Sequence, residues 1–115
     1  MNEIQMEALK QAIKDKKPIS FDYIKEGKVE GKRFGDPHAV FVLSTLSGVQ
    51  STKVHIVQTS GVSDSKNEHP LPDFRLFDIN SIENVQVLEE EPCFTVNEKY
   101  NSEWEGYKKI VVKVS

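Results

Sequence analysis

Residues 18–43 read PISFDYIKEGKVEGKRFGDPHAVFVL and contain two extended segments joined by a polar turn. In the first segment, apolar and polar residues alternate, which is typical of a strand with one buried face; the apolar positions are Ile19, Phe21 and Tyr23. The second segment, residues 32–43, ends in an apolar run and is expected to be well buried there. Pro37 interrupts it and has no N–H to donate, so it predicts a bulge, a bend or an edge position.

A helix is predicted over residues 2–16, before this stretch. Asn2 is a suitable N-cap with Gln5 three residues later, and Pro18 stops the helix. One apolar stripe runs along it, which indicates that the helix covers a core; its members are Ile4, Ala8, Leu9, Ala12 and Ile13.

Three further strands are predicted after residue 43, at 53–59, 74–79 and 85–88. Residues 60–73 are rich in Gly, Pro and small polar residues and predict a long exposed loop. One helix followed by five short strands favours a barrel or a strongly bent sheet, and it argues against a parallel α/β sheet.

Residues 93–115 form a C-terminal appendix in this interpretation. Four residues spaced by four, four and three positions predict a helix that Gly106 ends; they are Val96, Tyr100, Trp104 and Tyr107. Residues 108–114 then predict a sixth strand. The aromatic residues Tyr100, Trp104 and Tyr107 either bind a protein partner or pack on the barrel. The last strand either joins the chain's own sheet or pairs with a second copy to give a homodimer.

Composition bounds the classes of function. The 115 residues suit one domain, and the formal net charge of −3 does not suit a generic binder of duplex DNA. Residues 1–60 carry nine basic and seven acidic side chains, whereas residues 61–115 carry six and eleven. An anion site is therefore expected in the first half of the chain or at isolated arginines.

Several kinds of chemistry lack a sequence signature. His38, His55 and His69 are far apart and Cys93 is the single cysteine, so neither a metal site nor an intrachain disulfide is predicted. Phosphate-cradling glycine loops and a nucleophile elbow are missing. With no signal peptide and no membrane-spanning run, the sequence predicts a cytoplasmic protein without a cofactor that is not an enzyme.

Residues 8–94 resemble the WYL domain of bacterial regulators and defence-system accessory proteins. The resemblance is spread over five segments, namely LKQAI at 9–13, PISFDY at 18–23, KRFGDPH at 32–38, KVHIV at 53–57 and RLFDINSI at 75–82. His55 stands where the family has the central tyrosine of its Trp-Tyr-Leu motif. Asp78 and Ser81 stand where the family has arginines.

The resemblance implies a five-stranded, antiparallel, SH3-like or Sm-like barrel. With the helix and the appendix, it gives a mostly β fold with a WYL-like domain at 1–92, a barrel at 18–88 and a helix–strand appendix at 93–115. It also implies a regulatory module that binds a charged ligand. The winged helix with which the family reads DNA is not expected in these residues, since only about 17 residues precede the barrel.

Four side chains are the candidates for this ligand site: Tyr23, Arg33, His55 and Arg75. A guanidinium presents a planar fork to phosphate or carboxylate, and the alternatives are a structural ion pair for Arg75 and a solvated charge for Arg33. Tyr23 either hydrogen-bonds or stacks a ligand, or packs in the core with Phe21. His55 either bonds the ligand or is a satisfied strand histidine; His38 and Gln58 are weaker candidates.

Two functions are therefore expected. The first is a non-enzymatic, ligand-sensing module for an anionic small molecule, such as a nucleotide, or for single-stranded nucleic acid, with a regulatory protein as a possible partner. The second is a protein-interaction or dimerisation module that uses the C-terminal aromatic residues and the last strand.

Overall fold

The computed structural model of the protein describes residues 1–63 and 70–115. His69 and the middle of the predicted 60–73 loop lie outside the described residues. The elements, in chain order, are α1 (Glu3–Asp15), β1 (Ile19–Tyr23), β2 (Lys32–Ser44), β3 (Gln50–Gly61), β4 (Asp73–Asp78), a 3₁₀ turn (Ile79–Ser81), β5 (Ile82–Val87), a second 3₁₀ turn (Glu105–Tyr107) and β6 (Lys109–Lys113).

Helix α1 begins and ends as its sequence predicts. The Asn2 side chain accepts a hydrogen bond from the Gln5 backbone N–H at 2.8 Å, as an N-cap does. Gln5 does not complete a capping box, because its side-chain oxygen accepts from the Val85 N–H at 2.5 Å and ties the helix to β5. The stripe buries Leu9, Ala12 and Ile13. Ile4, at the N-terminal end of the predicted stripe, is exposed.

The described strands form one open antiparallel sheet in the order β4-β3-β2-β1-β5, with β6 added on β2. Strand β2 organises it: β3 pairs along one edge, while β1 and β6 share the other edge at residues 32–35 and 39–42. The β2–β3 register shifts between Pro37 and Ala39, so of the bulge, bend or edge position that Pro37 predicts, the structure has the bulge.

The predicted mostly β architecture with an N-terminal helix is confirmed, but closure of the sheet into a barrel is not. Strands β4 and β5 occupy opposite ends of the strand order. Strand β5 pairs with β1, whereas β4 meets the end of β1 through a single contact, in which the Tyr23 hydroxyl accepts from the Asp78 N–H at 3.0 Å.

The predicted helix in the appendix is wrong. Asn97 and Asn101 each accept, through their side chains, the N–H of the residue two positions on. Their backbone carbonyls accept from Tyr100 and Trp104, which closes two successive turns. Asparagine competes with the helical ladder in this way. Because the asparagines are four residues apart, the turns reproduce the aromatic spacing of a helix without forming one.

The appendix packs against the chain's own sheet. Strand β6 pairs with β2, and its Val112 is buried in the core, as is Val114 just after the strand. Phe94, Val96 and Tyr100 pack on the same core, and the Phe94 N–H donates to the Lys16 carbonyl at 2.8 Å. No helix within the described ranges is long and apolar enough to cross a membrane.

Candidate functional site

Arg33 and Arg75 meet at one oxygen atom. Arg33 Nη1 donates to the side-chain oxygen of Gln58 at 3.3 Å, and Arg75 Nη1 donates to the same oxygen at 3.2 Å. The Gln58 amide nitrogen donates to the carbonyls of Ser60 and Val62 at 3.2 and 2.7 Å. These bonds fix the orientation of the buried amide, so its oxygen holds two guanidinium groups, from β2 and β4, side by side.

Arg33 forms the floor of this arrangement. It is 1% exposed, and its Nη2 donates to the Val29 carbonyl at 3.0 Å. Its guanidinium carbon lies 5.4 Å from the ring centroid of Tyr23 and 5.7 Å from that of Phe77. Cation–π contact of this kind stabilises a desolvated guanidinium. The alternative of a solvated edge-strand charge is therefore wrong.

Arg75 lies at the sheet edge on β4, on the same face as Phe77 because side chains alternate along a strand. Its Nε donates to Asp73 at 3.1 Å, and its Nη1 also donates to the Ser63 hydroxyl at 2.6 Å. The side chain is only 12% exposed. Arg75 thus has structural partners, including an acid, and still reaches the surface.

A pocket of about 550 Å³ opens beside both arginines. Five basic residues line it, and so do Asp73 and Asp78; the basic residues are Lys25, Lys28, Arg33, Lys53 and Arg75. Among its described lining residues, cations therefore outnumber carboxylates by three. We call this space the basic pocket. Clustered cations at a concave surface raise the local potential and attract anions.

Asp78 occupies the rim of the basic pocket. Its two carboxylate oxygens accept from Lys25 and Lys53, whose side chains are partly exposed. The hydrogen bonds from Lys25 and then Lys53 lower the pKa of Asp78, and the bond to Asp78 raises the pKa of Lys25. Asp78 therefore stays ionised near neutral pH and acts as an internal counter-ion for the two lysines.

Tyr23 lines the basic pocket but presents little of its ring. It is 5% exposed, its ring packs edge-on against Phe77 at 4.8 Å, and its hydroxyl is bonded to the Asp78 N–H. The structure therefore places Tyr23 in the same core as Phe21, with both rings packed on Phe77. Its ring is not positioned to stack on a ligand.

His55 does not join the other three candidates. Side chains alternate along β3, and His55 lies on the opposite face from Val54, Ile56 and Gln58. Its Nδ1 lies 2.6 Å from the Tyr107 hydroxyl. Burial, with a smaller contribution from the nearby His38, lowers the pKa of His55 to about 4, so the ring is neutral at pH 7.

His55 instead helps to line a second, smaller space of about 220 Å³, which we call the aromatic pocket. Its described lining residues are His55, Phe74, Lys99, Asn101, Trp104 and Tyr107. Tyr107 is buried and Tyr100 is partly buried, whereas Trp104 is 39% exposed. Of the three aromatic residues expected to bind a partner, Trp104 is thus the accessible one, and partner binding stays a prediction.

His38 has a structural position. It is fully buried, its Nδ1 lies 2.8 Å from the Asp36 carbonyl, and its Nε2 accepts from the Asn97 N–H at 3.0 Å. These contacts assign the proton of the neutral ring to Nδ1 and fasten the C-terminal segment to β2. Within residues 1–63 and 70–115, no three His, Cys, Asp or Glu side chains are grouped as metal ligands.

Sequence reasoning missed the lysines and acids of the basic pocket. Lys25 and Lys28 follow β1 in a turn that reads as solvated, and Lys53 lies near the start of the predicted strand. The available signal was the loss of arginine at Asp78, because an acid in that position is expected to pair with basic side chains.

Comparison with family models, with curated proteins and with solved structures finds no match. The resemblance to WYL domains therefore stays a prediction.

Proposed function

We propose that the protein is a non-enzymatic binding module that holds a phosphate-bearing anion, from a nucleotide or from single-stranded nucleic acid, in the basic pocket. The observation that carries this proposal is the convergence of Arg33 and Arg75 on the Gln58 oxygen, beside three lysines. Lys25, Lys28, Lys53 and Arg75 are the groups that reach solvent there. Arg33 and Tyr23 position the site from below.

The chemistry of these groups suits phosphate. A guanidinium offers a planar fork of donors and an ammonium offers a mobile point charge, and both bind phosphate oxygens. Gln58 and Asp73 already orient Arg75, so little side-chain freedom is lost when it binds. Asp78 competes for the lysines, so the affinity is expected to be moderate and reversible, as a sensor of ligand concentration requires.

We infer from the sequence resemblance that this module is an SH3-like, WYL-related regulatory domain, located in the cytoplasm. A free and exposed Cys93 suits that reducing compartment.

The test is a binding titration with nucleoside mono-, di- and triphosphates and with labelled single-stranded oligonucleotides at several salt concentrations. Affinity is expected to fall steeply with salt, because each neutralised phosphate releases counterions. Arg75→Ala should weaken binding by roughly tenfold or more, since it removes a charged hydrogen-bonding group. Lys14→Ala, which removes an exposed charge on α1, is the matched control. Salt-independent binding, or equal loss in both variants, would refute the proposal.

A second candidate is self-association through β6. This strand pairs with β2 on one side, and Ile110 and Val111 are exposed on it. An edge strand with apolar side chains invites pairing with another strand. Sedimentation across a concentration series tests the idea: a dimer that Val111→Lys dissociates supports it, and a monomer at all concentrations excludes it.

A further inference from the structure

The aromatic pocket and the Lys53 and Asp78 side of the basic pocket lie on the same face of the β3–β4 pair. Lys53 and Asp78 face each other across the two strands, and His55 and Leu76 form the next pair on the same face. Leu76 lines the basic pocket and is 48% exposed, whereas His55 and Phe74 line the aromatic pocket. Residues two positions apart on a strand are separated by about 6.6 Å, so the two pockets are near neighbours.

The walls of the aromatic pocket are formed mainly by rings. Trp104 lies 5.5 Å from His55 and 5.2 Å from Tyr107 between ring centroids, and His55 lies 4.8 Å from Phe74. Trp104 is seated against Gly106, where its ring leaves no room for a side chain. The partly exposed indole is thus held by its neighbours and still accessible from solvent.

The polar residues of the aromatic pocket favour a nucleobase over an apolar side chain. Lys99 contributes a cation, and the amide of Asn101 can offer donors toward the carbonyl and ring-nitrogen acceptors of a base. No carboxylate is among the described residues that line this pocket. Aromatic rings stack with any base, and nearby cations neutralise the attached phosphates.

We propose that the aromatic pocket stacks a base of the same single strand whose phosphate occupies the basic pocket. The ligand class is then single-stranded nucleic acid of at least two nucleotides rather than a free mononucleotide. Trp104 is the principal stacking residue, and His55 and Tyr107 hold its ring in place. This inference rests on the proposed function, because the basic pocket must first bind the backbone.

Trp104 is the only tryptophan of the chain, so its fluorescence reports on the aromatic pocket directly. The wild-type protein is titrated with a short oligothymidine and with an abasic oligonucleotide of the same length, which has the phosphates without the bases. We expect oligothymidine to quench Trp104 and to bind on the order of tenfold more tightly than the abasic strand. The abasic strand should bind with the same salt dependence and leave Trp104 unquenched.

A variant arm uses a labelled strand and its anisotropy. Trp104→Leu should lower the affinity for oligothymidine to that of the abasic strand and leave abasic binding unchanged. Lys108→Gln, which removes an exposed charge outside both pockets, is the control. If Trp104→Leu weakens abasic binding too, the variant has disturbed the fold, and the quenching comparison in the wild-type protein decides.

The outcomes separate the two proposals. Equal binding of both strands without quenching overturns the base-stacking inference and leaves the anion site standing. Absence of binding to either strand overturns the base-stacking inference, and it overturns the proposed function as well when the nucleoside phosphates also fail to bind. Quenching by a proline-rich peptide but not by oligothymidine overturns the inference and assigns the aromatic pocket to a protein partner instead.

Discussion

Replacing Asp78 with asparagine is expected to tighten the binding of an anion in the basic pocket. Asp78 bonds both Lys25 and Lys53 at the pocket rim, so an incoming phosphate must displace or share these contacts. Asparagine keeps the shape of the side chain and one acceptor oxygen but removes the negative charge. Its effect therefore isolates the competition between Asp78 and the ligand.

The size of the effect follows from Coulomb's law. A unit charge about 6 Å from a bound phosphate repels it by about 0.7 kcal/mol at a dielectric constant of ~80 and by about 2.8 kcal/mol at ~20. Because the rim is partly exposed, an intermediate value of about 1–2 kcal/mol is expected. That energy corresponds to a dissociation constant about 5- to 30-fold lower.

The assay is fluorescence anisotropy of a labelled single strand at low and at high salt. The matched control is Glu3→Gln, which removes one exposed negative charge on α1, far from the basic pocket in sequence. The gain for Asp78→Asn should exceed that of the control and shrink as salt rises. An unchanged or weaker affinity in Asp78→Asn would show that the phosphate does not bind beside Lys25 and Lys53.

Three further predictions concern stability. Gln58→Leu should lower the free energy of unfolding by about 3–5 kcal/mol, because it removes all four hydrogen bonds of a buried amide, two of them from arginines. Denaturant unfolding checks this, and the exposed Gln86→Leu is expected to change little. Burial raises the pKa of Asp36 to about 6, so its charge destabilises the fold at pH 7. Asp36→Asn should therefore raise the free energy of unfolding by about 1–2 kcal/mol at pH 7 and leave it unchanged below about pH 4. The pKa shift of His55 changes stability with pH in the opposite direction. Its stabilising contribution is complete above about pH 6.5 and is lost as pH falls through about 4. The free energy of unfolding of Asp36→Asn should therefore fall by up to about 3 kcal/mol between pH 7 and pH 4. A free energy that does not change with pH would contradict the neutral His55.

Most of the fold could be predicted because local signals agree with it. Proline lacks an N–H, so Pro37 predicts an interruption of the strand pairing, and a capped apolar stripe specifies α1. The appendix shows where this reasoning fails. Its four-residue aromatic spacing is shared by a helix and by repeated asparagine turns, and the side chains of Asn97 and Asn101 decide between them.

The candidate site could be predicted only in part, because strand pairing determines which residues meet. Arg33 and Arg75 are 42 positions apart in the sequence, and the pairing of β2 and β4 with β3 brings both to Gln58. His55 was grouped with them although side-chain alternation on β3 directs it to the other face. The lysines were missed because their role depends on Asp78, which they contact only in the folded chain.

The most direct measurement is a nuclear magnetic resonance titration of the ¹⁵N-labelled protein with inorganic triphosphate, followed at the Arg75 Nε–H and the Gln58 side-chain amide. Both report on the oxygen where the arginines converge. Saturable shifts of these two signals, weakened by added salt and accompanied by little change in α1, are the predicted result. Shifts spread evenly over exposed lysines, with the Arg75 and Gln58 signals unmoved, would contradict a binding site at this position.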